Sequence, residues 1–73
     1  GEEFCRSEYL VQQQEVRLEI LARRARHLGA INYSQTCLSE IDKRLRSQRK
    51  NFAFTVRGLK VVVNAEQFRI SLG

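Results

Sequence analysis

The sequence predicts an α+β domain: an antiparallel helical hairpin, with a long first helix and a shorter second one, packed on a three-stranded antiparallel β-meander. Two observations predict it. Residues 3–28 and 33–50 contain no glycine or proline and place apolar residues at helical spacing. After Asn51 the apolar period changes from helical to two and stays so to the end of the chain. One domain spans residues 1–73.

The first helix, residues 3–28, is rich in Glu, Gln, Arg and Leu and is predicted to stop at Gly29, a residue suited to a left-handed C-cap, after the basic run Arg23, Arg24, Arg26 and His27. Phe4, Leu10, Val11, Leu18, Leu21, Ala22, Ala25 and Leu28 fall in one arc of about 120° and form its expected core face. The link AINY follows. Asn32 or Ser34 can cap the second helix, residues 33–50, with Gln35 completing a capping box from Asn32. Cys37, Leu38, Ile41 and Leu45 form its apolar stripe.

Three strands are expected, over residues 52–56, 59–63 and 68–72. A two-residue turn at Arg57-Gly58 pairs Val56 with Leu59, Phe54 with Val61 and Phe52 with Val63, which puts every large apolar side chain on one face; a one-residue slip would split them. A four-residue turn from Asn64 to Gln67 then pairs Val63 with Phe68 and keeps Ile70 and Leu72 on that face. The helical hairpin is the cover the chain offers for it.

Charge narrows the partners without choosing one. The net charge is +5 and the isoelectric point about 9.9, which favours acidic partners. The run KRLRSQRK, residues 43–50, carries five bases. In an antiparallel hairpin it lies near Glu15 and Glu19, while Arg23, Arg24 and Arg26 lie near Glu40 and Asp42, so helix-end charge explains much of it. Two acids do not balance five bases. Lys43, Arg46, Arg49 and Lys50, with Arg57, Lys60 and Arg69 from the outer sheet face, are therefore the candidate contacts for nucleic acid or an acidic partner. The outer face is expected to hold no acid opposite these last three.

The first helix carries a second apolar stripe. Tyr9, Val16 and Ile20 lie opposite the core face with Cys5 beside them. A helix over residues 3–28 would be about 39 Å long, against about 17–20 Å for the strands, and so would overhang the domain. Overhang and second stripe together predict a protein interface at Cys5, Tyr9, Val16 and Ile20, with either a second copy or a helical or strand partner. The open edges of the meander could also accept a partner strand.

No catalytic residues, cofactor or metal are expected. His27 is the single histidine, at a basic helix end; Cys5, Cys37 and His27 lack zinc-ligand spacing; Glu15 and Glu19 are an i,i+4 pair suited to pairing with bases. There is no Gly-rich phosphate loop and no apolar run that would span a bilayer. Cys5 and Cys37 would lie roughly 30 Å apart along the hairpin, too far for a disulfide. Two unpaired cysteines and the lack of a signal peptide suggest an intracellular protein, although the chain opens on Gly1 rather than methionine, as a trimmed start would.

The sequence reading is thus a non-enzymatic interaction or oligomerisation module, with a small basic nucleic-acid-binding domain as the alternative. SQTCLSEIDKRL resembles the recognition helix of helix-turn-helix proteins, with the following strands as a wing. The turn GAINY is longer than theirs, and a continuous first helix leaves no third helix for their core.

Overall fold

The computed structural model describes residues 3–29 and 34–73, so the AINY link and the cap at Asn32 lie outside the described residues. The chain is an α+β domain with helices packed on one face of a four-stranded antiparallel sheet. Its elements are β1 (Glu3–Cys5), α1 (Arg6–Leu10), α2 (Gln14–His27), α3 (Gln35–Leu45), β2 (Phe52–Val56), β3 (Leu59–Val63) and β4 (Gln67–Leu72). The strand order is β1-β4-β3-β2, so β1 and β2 are the two edges.

The C-terminal half follows the hydrophobic alternation. Val56 pairs with Leu59, Phe54 with Val61, Phe52 with Val63, and Val63 with Phe68. Arg57 (φ 50°) and Gly58 (φ 83°) both take left-handed conformations, as a two-residue hairpin turn requires. The second turn is held by Asn64, whose side-chain oxygen accepts from the Glu66 and Gln67 amides at 2.8 and 2.7 Å. Leu59, Val61, Val63, Phe68 and Ile70 are buried under the helices with Leu21, Ala22, Ala25, Cys37, Leu38, Ile41 and Leu45. Leu72 departs from the expected oily face: it is 59% exposed, past the reach of the helices.

The helix ends obey local chemistry. The Ser34 hydroxyl accepts from the Cys37 amide at 3.2 Å and caps α3. Gly29 ends α2 at φ 79°. Helix α3 stops at Leu45, short of the expected residue 50.

The first 28 residues depart most from expectation: one long helix is replaced by β1, α1 and α2. Phe4 explains the change. Paired with Phe68 across the β1–β4 register, its ring stacks on that of Phe68 at 5.1 Å. Covering the β4 edge and burying an aromatic ring outweigh the few tenths of a kcal/mol per residue that helix propensity offers here. The break between α1 and α2 costs little because its polar groups are met. Val11 and Gln12 donate their amides to the carbonyls of Ser7 and Tyr9, and Arg17 Nη1 donates to the Gln12 carbonyl at 2.6 Å. A rotated phase follows: Leu10 and Val11, expected in the core, are 37% and 79% exposed. There is no overhang, since the molecule measures 28 × 24 × 22 Å, shorter in every direction than the helix expected.

Arg6, at the β1–α1 junction, is buried and uses all five guanidinium N–H groups. Nε and Nη2 donate to the Leu45 carbonyl, Nη2 also to Ser47, and Nη1 to Arg49 and Asn64, at 2.7–3.3 Å. These carbonyls belong to the C-terminal end of α3, the link to β2 and the β3–β4 turn. Arg24 acts similarly at the other end of the sheet, donating to the Ile70 carbonyl at 3.1–3.2 Å. That carbonyl lies just past Arg69, the last β4 residue paired with β1.

Two stability effects are expected. Arg6→Ala leaves four carbonyls short of donors and should cost about 3–5 kcal/mol, much of the roughly 4–11 kcal/mol a domain of 73 residues has. Arg57→Asn relieves the left-handed strain and should add about 0.5–1 kcal/mol. Urea denaturation of both variants measures these shifts.

Candidate functional site

The expected interface residues divide. Tyr9 is corrected to a core residue: it is 3% exposed, edge-on to Phe68 at 5.1 Å, and its hydroxyl donates to Asp42 Oδ1 at 2.6 Å. The break after Leu10 puts Tyr9 and Val16 on separate helices, so they share no continuous stripe. Val16 stays 43% exposed and Ile20 half-buried on α2, while Cys5 is exposed on β1. They are still neighbours. One shallow surface depression is lined by Glu15, Val16, Glu19, Ile20 and Arg23, a second by Phe4, Cys5, Glu8, Tyr9, Gln12 and Ile20, and a third by Phe4, Ile20, Arg23, Arg24 and His27. All three meet at Ile20. Sequence reasoning placed Phe4 in the core; its half-buried ring does pack against the core on Phe68, and because β1 is an edge strand its open side is also part of this surface.

Asp42 anchors the polar side of the helix packing. It is 2% exposed; Oδ1 accepts from Tyr9 and from Arg17 Nε at 2.8 Å, and Oδ2 from Arg46 Nε at 3.1 Å. Its partner from α2 is therefore Arg17, not the Arg23–Arg26 run. Arg23 and Arg26 bind Glu19 at 3.2 and 3.1 Å, and Arg23 first, then Arg26, holds that carboxyl below its ordinary range. Arg44 binds Glu40 at 3.1 Å. The helices still run antiparallel: Arg17, early in α2, meets Asp42, late in α3, while Ala22, further along α2, lines a depression with Leu38, earlier in α3.

The candidate basic contacts do not form one patch. Arg46 is tied to Asp42. Lys43, Arg49 and Lys50 are exposed around the end of α3, Arg57 is in the β2–β3 turn, and Lys60 and Arg69 are on the outer sheet face. That face does hold an acid at a matching position, since Glu3 on the added strand β1 stands in register with Arg69. Among the described residues, Lys43, Arg49, Lys50, Arg57, Lys60 and Arg69 make no ion pair.

A feature the sequence did not signal lies at the β2 edge. Phe52, Phe54 and Val56 are half-buried, because the helices cover β3 and β4 more fully than β2. The rings of Phe52 and Phe54 stack at 5.8 Å; Arg49 lies 5.2 Å over Phe52 and Arg44 5.2 Å over Phe54. Alternation told which way these rings point, not how far α3 would cover them.

Among the described residues, no group of three or more His, Cys, Asp or Glu is placed to hold a metal ion, and no helix is long and apolar enough to cross a membrane. Cys5 and Cys37 are both free, the first exposed and the second buried. The Ser7 hydroxyl, 3.4 Å away, holds the Cys5 thiol below its ordinary pKa. Compared with known proteins, the chain matches no family model, and no curated protein or solved structure is significantly similar to it.

Burial first, then the bond to Asp42, pushes the Tyr9 phenol well above its ordinary value near 10. Folded Tyr9 stays neutral where the unfolded chain ionises, so its contribution is complete below about pH 10 and drains above it. Tyr9→Phe should cost about 1–2 kcal/mol at pH 7 and flatten the alkaline loss of stability. Urea titrations of both proteins between about pH 8 and 11 check this.

Proposed function

We propose that this chain is a non-enzymatic protein-interaction module that self-associates through the exposed face of α2 and the adjoining β1 edge. The convergence of three mostly apolar depressions on Ile20 carries this reading: Phe4, Val16 and Ile20 share one surface that none of the described elements covers.

The pattern along α2 supports a second copy as the occupant. Val16, Ile20, Arg23 and His27 recur at the spacing of a helix–helix seam. Acids flank its N-terminal half at Glu15 and Glu19, while its C-terminal half carries Arg23 in the seam and Arg26 beside it. In a two-fold antiparallel pairing each acidic half meets the partner's basic half. Glu15, which makes no ion pair among the described residues, gains a base in that arrangement. An intracellular, reducing compartment belongs to the same reading, since it would keep the exposed Cys5 a thiol.

Six exposed cations that make no ion pair among the described residues favour a second reading, phosphate contacts with nucleic acid. Their spread over the α3 end, one turn and the outer sheet face makes it the weaker one.

Light scattering on a size-exclusion column separates the two. Self-association predicts a dimer that persists at about 0.5 M salt, ignores an added oligonucleotide, and becomes monomeric in Ile20→Glu or Val16→Glu with the thermal midpoint of the monomer retained. A monomer that comigrates with the oligonucleotide at low salt, and loses it on charge reversal at Lys60 and Arg69, would favour the second reading.

A further inference from the structure

The opposite edge of the sheet carries a separate surface. β2 is the end strand beyond β3, and its register with β3 is continuous, without a bulge. The two-residue turn makes Val56–Leu59 the hydrogen-bonded closing pair. Phe54 and Phe52 therefore also direct their N–H and C=O groups at β3, and Ala53 and Thr55 direct theirs outward. The β3–β4 ladder agrees: the Gly73 N–H donates to the Gly58 carbonyl and the Asn64 N–H to the Gln67 carbonyl, as this phase of β3 requires on its other side.

Edges of this kind are usually blunted by proline, a bulge or an intruding charge. This one has none of them. Its outer side chains are Ala53 and Thr55, both small and exposed, and its inner side chains are the half-buried row Phe52, Phe54 and Val56. The edge offers two amides and two carbonyls along a straight strand, with an apolar row beside them.

Charge selects the occupant. Arg44 and Arg49 stack on the two rings, Arg57 closes one end of the strand, and Lys50 precedes the other. The nearby acid on the exposed side of α3, Glu40, is already bound to Arg44. A second copy of this chain pairing along β2 would set arginine against arginine, which disfavours it. A carboxylate-bearing strand instead meets several guanidinium groups whose stacking already orders them.

We propose that the β2 edge binds an extended acidic peptide segment of a partner protein as a fifth strand. The segment's main chain pairs with Ala53 and Thr55, and its inward-facing side chains bring carboxylates to Arg44 and Arg49 over the Phe52–Phe54–Val56 row, on the same face of the sheet. This surface is distinct from the α2–β1 face and does not depend on it, since the two lie at opposite edges of the sheet.

The test is a fluorescence-anisotropy titration with a dye-labelled peptide of about ten residues alternating Glu and Val. Saturable binding is expected, weakened by salt, absent for the Lys–Val counterpart, and reduced about tenfold or more by Arg49→Glu. Thr55→Pro removes one outward amide at a position where an edge strand tolerates proline, and should weaken binding by a similar factor. N-methylating alternate amides of the peptide probes the same main-chain pairing with the protein untouched, and one of the two methylation phases should abolish binding. No saturable binding, or binding indifferent to methylation in both phases, would overturn the proposal. So would a labelled oligothymidine that binds the edge more tightly than the peptide, because the stacked rings and arginines would then serve nucleic-acid bases.

Discussion

A buried guanidinium holds this small fold together. Arg6 follows directly on β1 and opens α1, and its own amide donates to the Glu66 carbonyl at 2.8 Å. Its side chain gathers the end of α3, the irregular link to β2 and the β3–β4 turn through four carbonyls, and its guanidinium lies 5.7 Å from the Phe52 ring centre. Helix C-termini leave carbonyls unsatisfied and carry partial negative charge, so a cation with five fixed donors suits this place better than any neutral residue. The same contact fixes where β1 can sit, and β1 sets the sheet edge and the position of Phe4.

Surface chemistry follows from that placement. Because β1 is held against β4, the chain must turn after Leu10, and Tyr9 swings inward to Asp42 while Val16 and Ile20 stay outside. Asp42 in turn draws Arg17 from α2 and Arg46 from the end of α3, which joins the two helices through one buried carboxylate. The sheet is left with unlike edges. β1 is short, and Arg24 takes up the β4 carbonyl at Ile70 near its end; β2 is straight, small-sided and ringed by arginine. The two proposed interfaces belong to these two edges.

The second half of the chain was legible because alternation has a sharp consequence. Between Phe52 and Ile70 a slip of one residue would split the large apolar side chains between the two faces, and Arg57-Gly58 and Asn64 fix the turn lengths independently. Ser34 and Gly29 were legible for local reasons, as cap and terminator. The N-terminal half was not. Glu3-Phe4-Cys5 is too short to show a period, and no glycine or proline marks the break at Val11–Gln13; both are decided by long-range pairing with β4. Arg6 and Arg24 were equally hidden, since a sequence does not tell which of its arginines end beneath the surface. The correction to Tyr9 follows from the same break, and the half-open Phe52–Phe54 row from how far α3 reaches across the sheet.

The most direct test of this account is an NMR measurement of the arginine side chains with uniform nitrogen-15 labelling. If Arg6 binds four carbonyls with all five donors, its Nη protons give separate resonances at room temperature and its Nε proton exchanges with solvent far more slowly than that of the exposed Arg23. Averaged, fast-exchanging Arg6 signals like those of Arg23 would mean that the guanidinium is solvated, and would contradict the placement of β1, the α1–α2 break and both sheet edges.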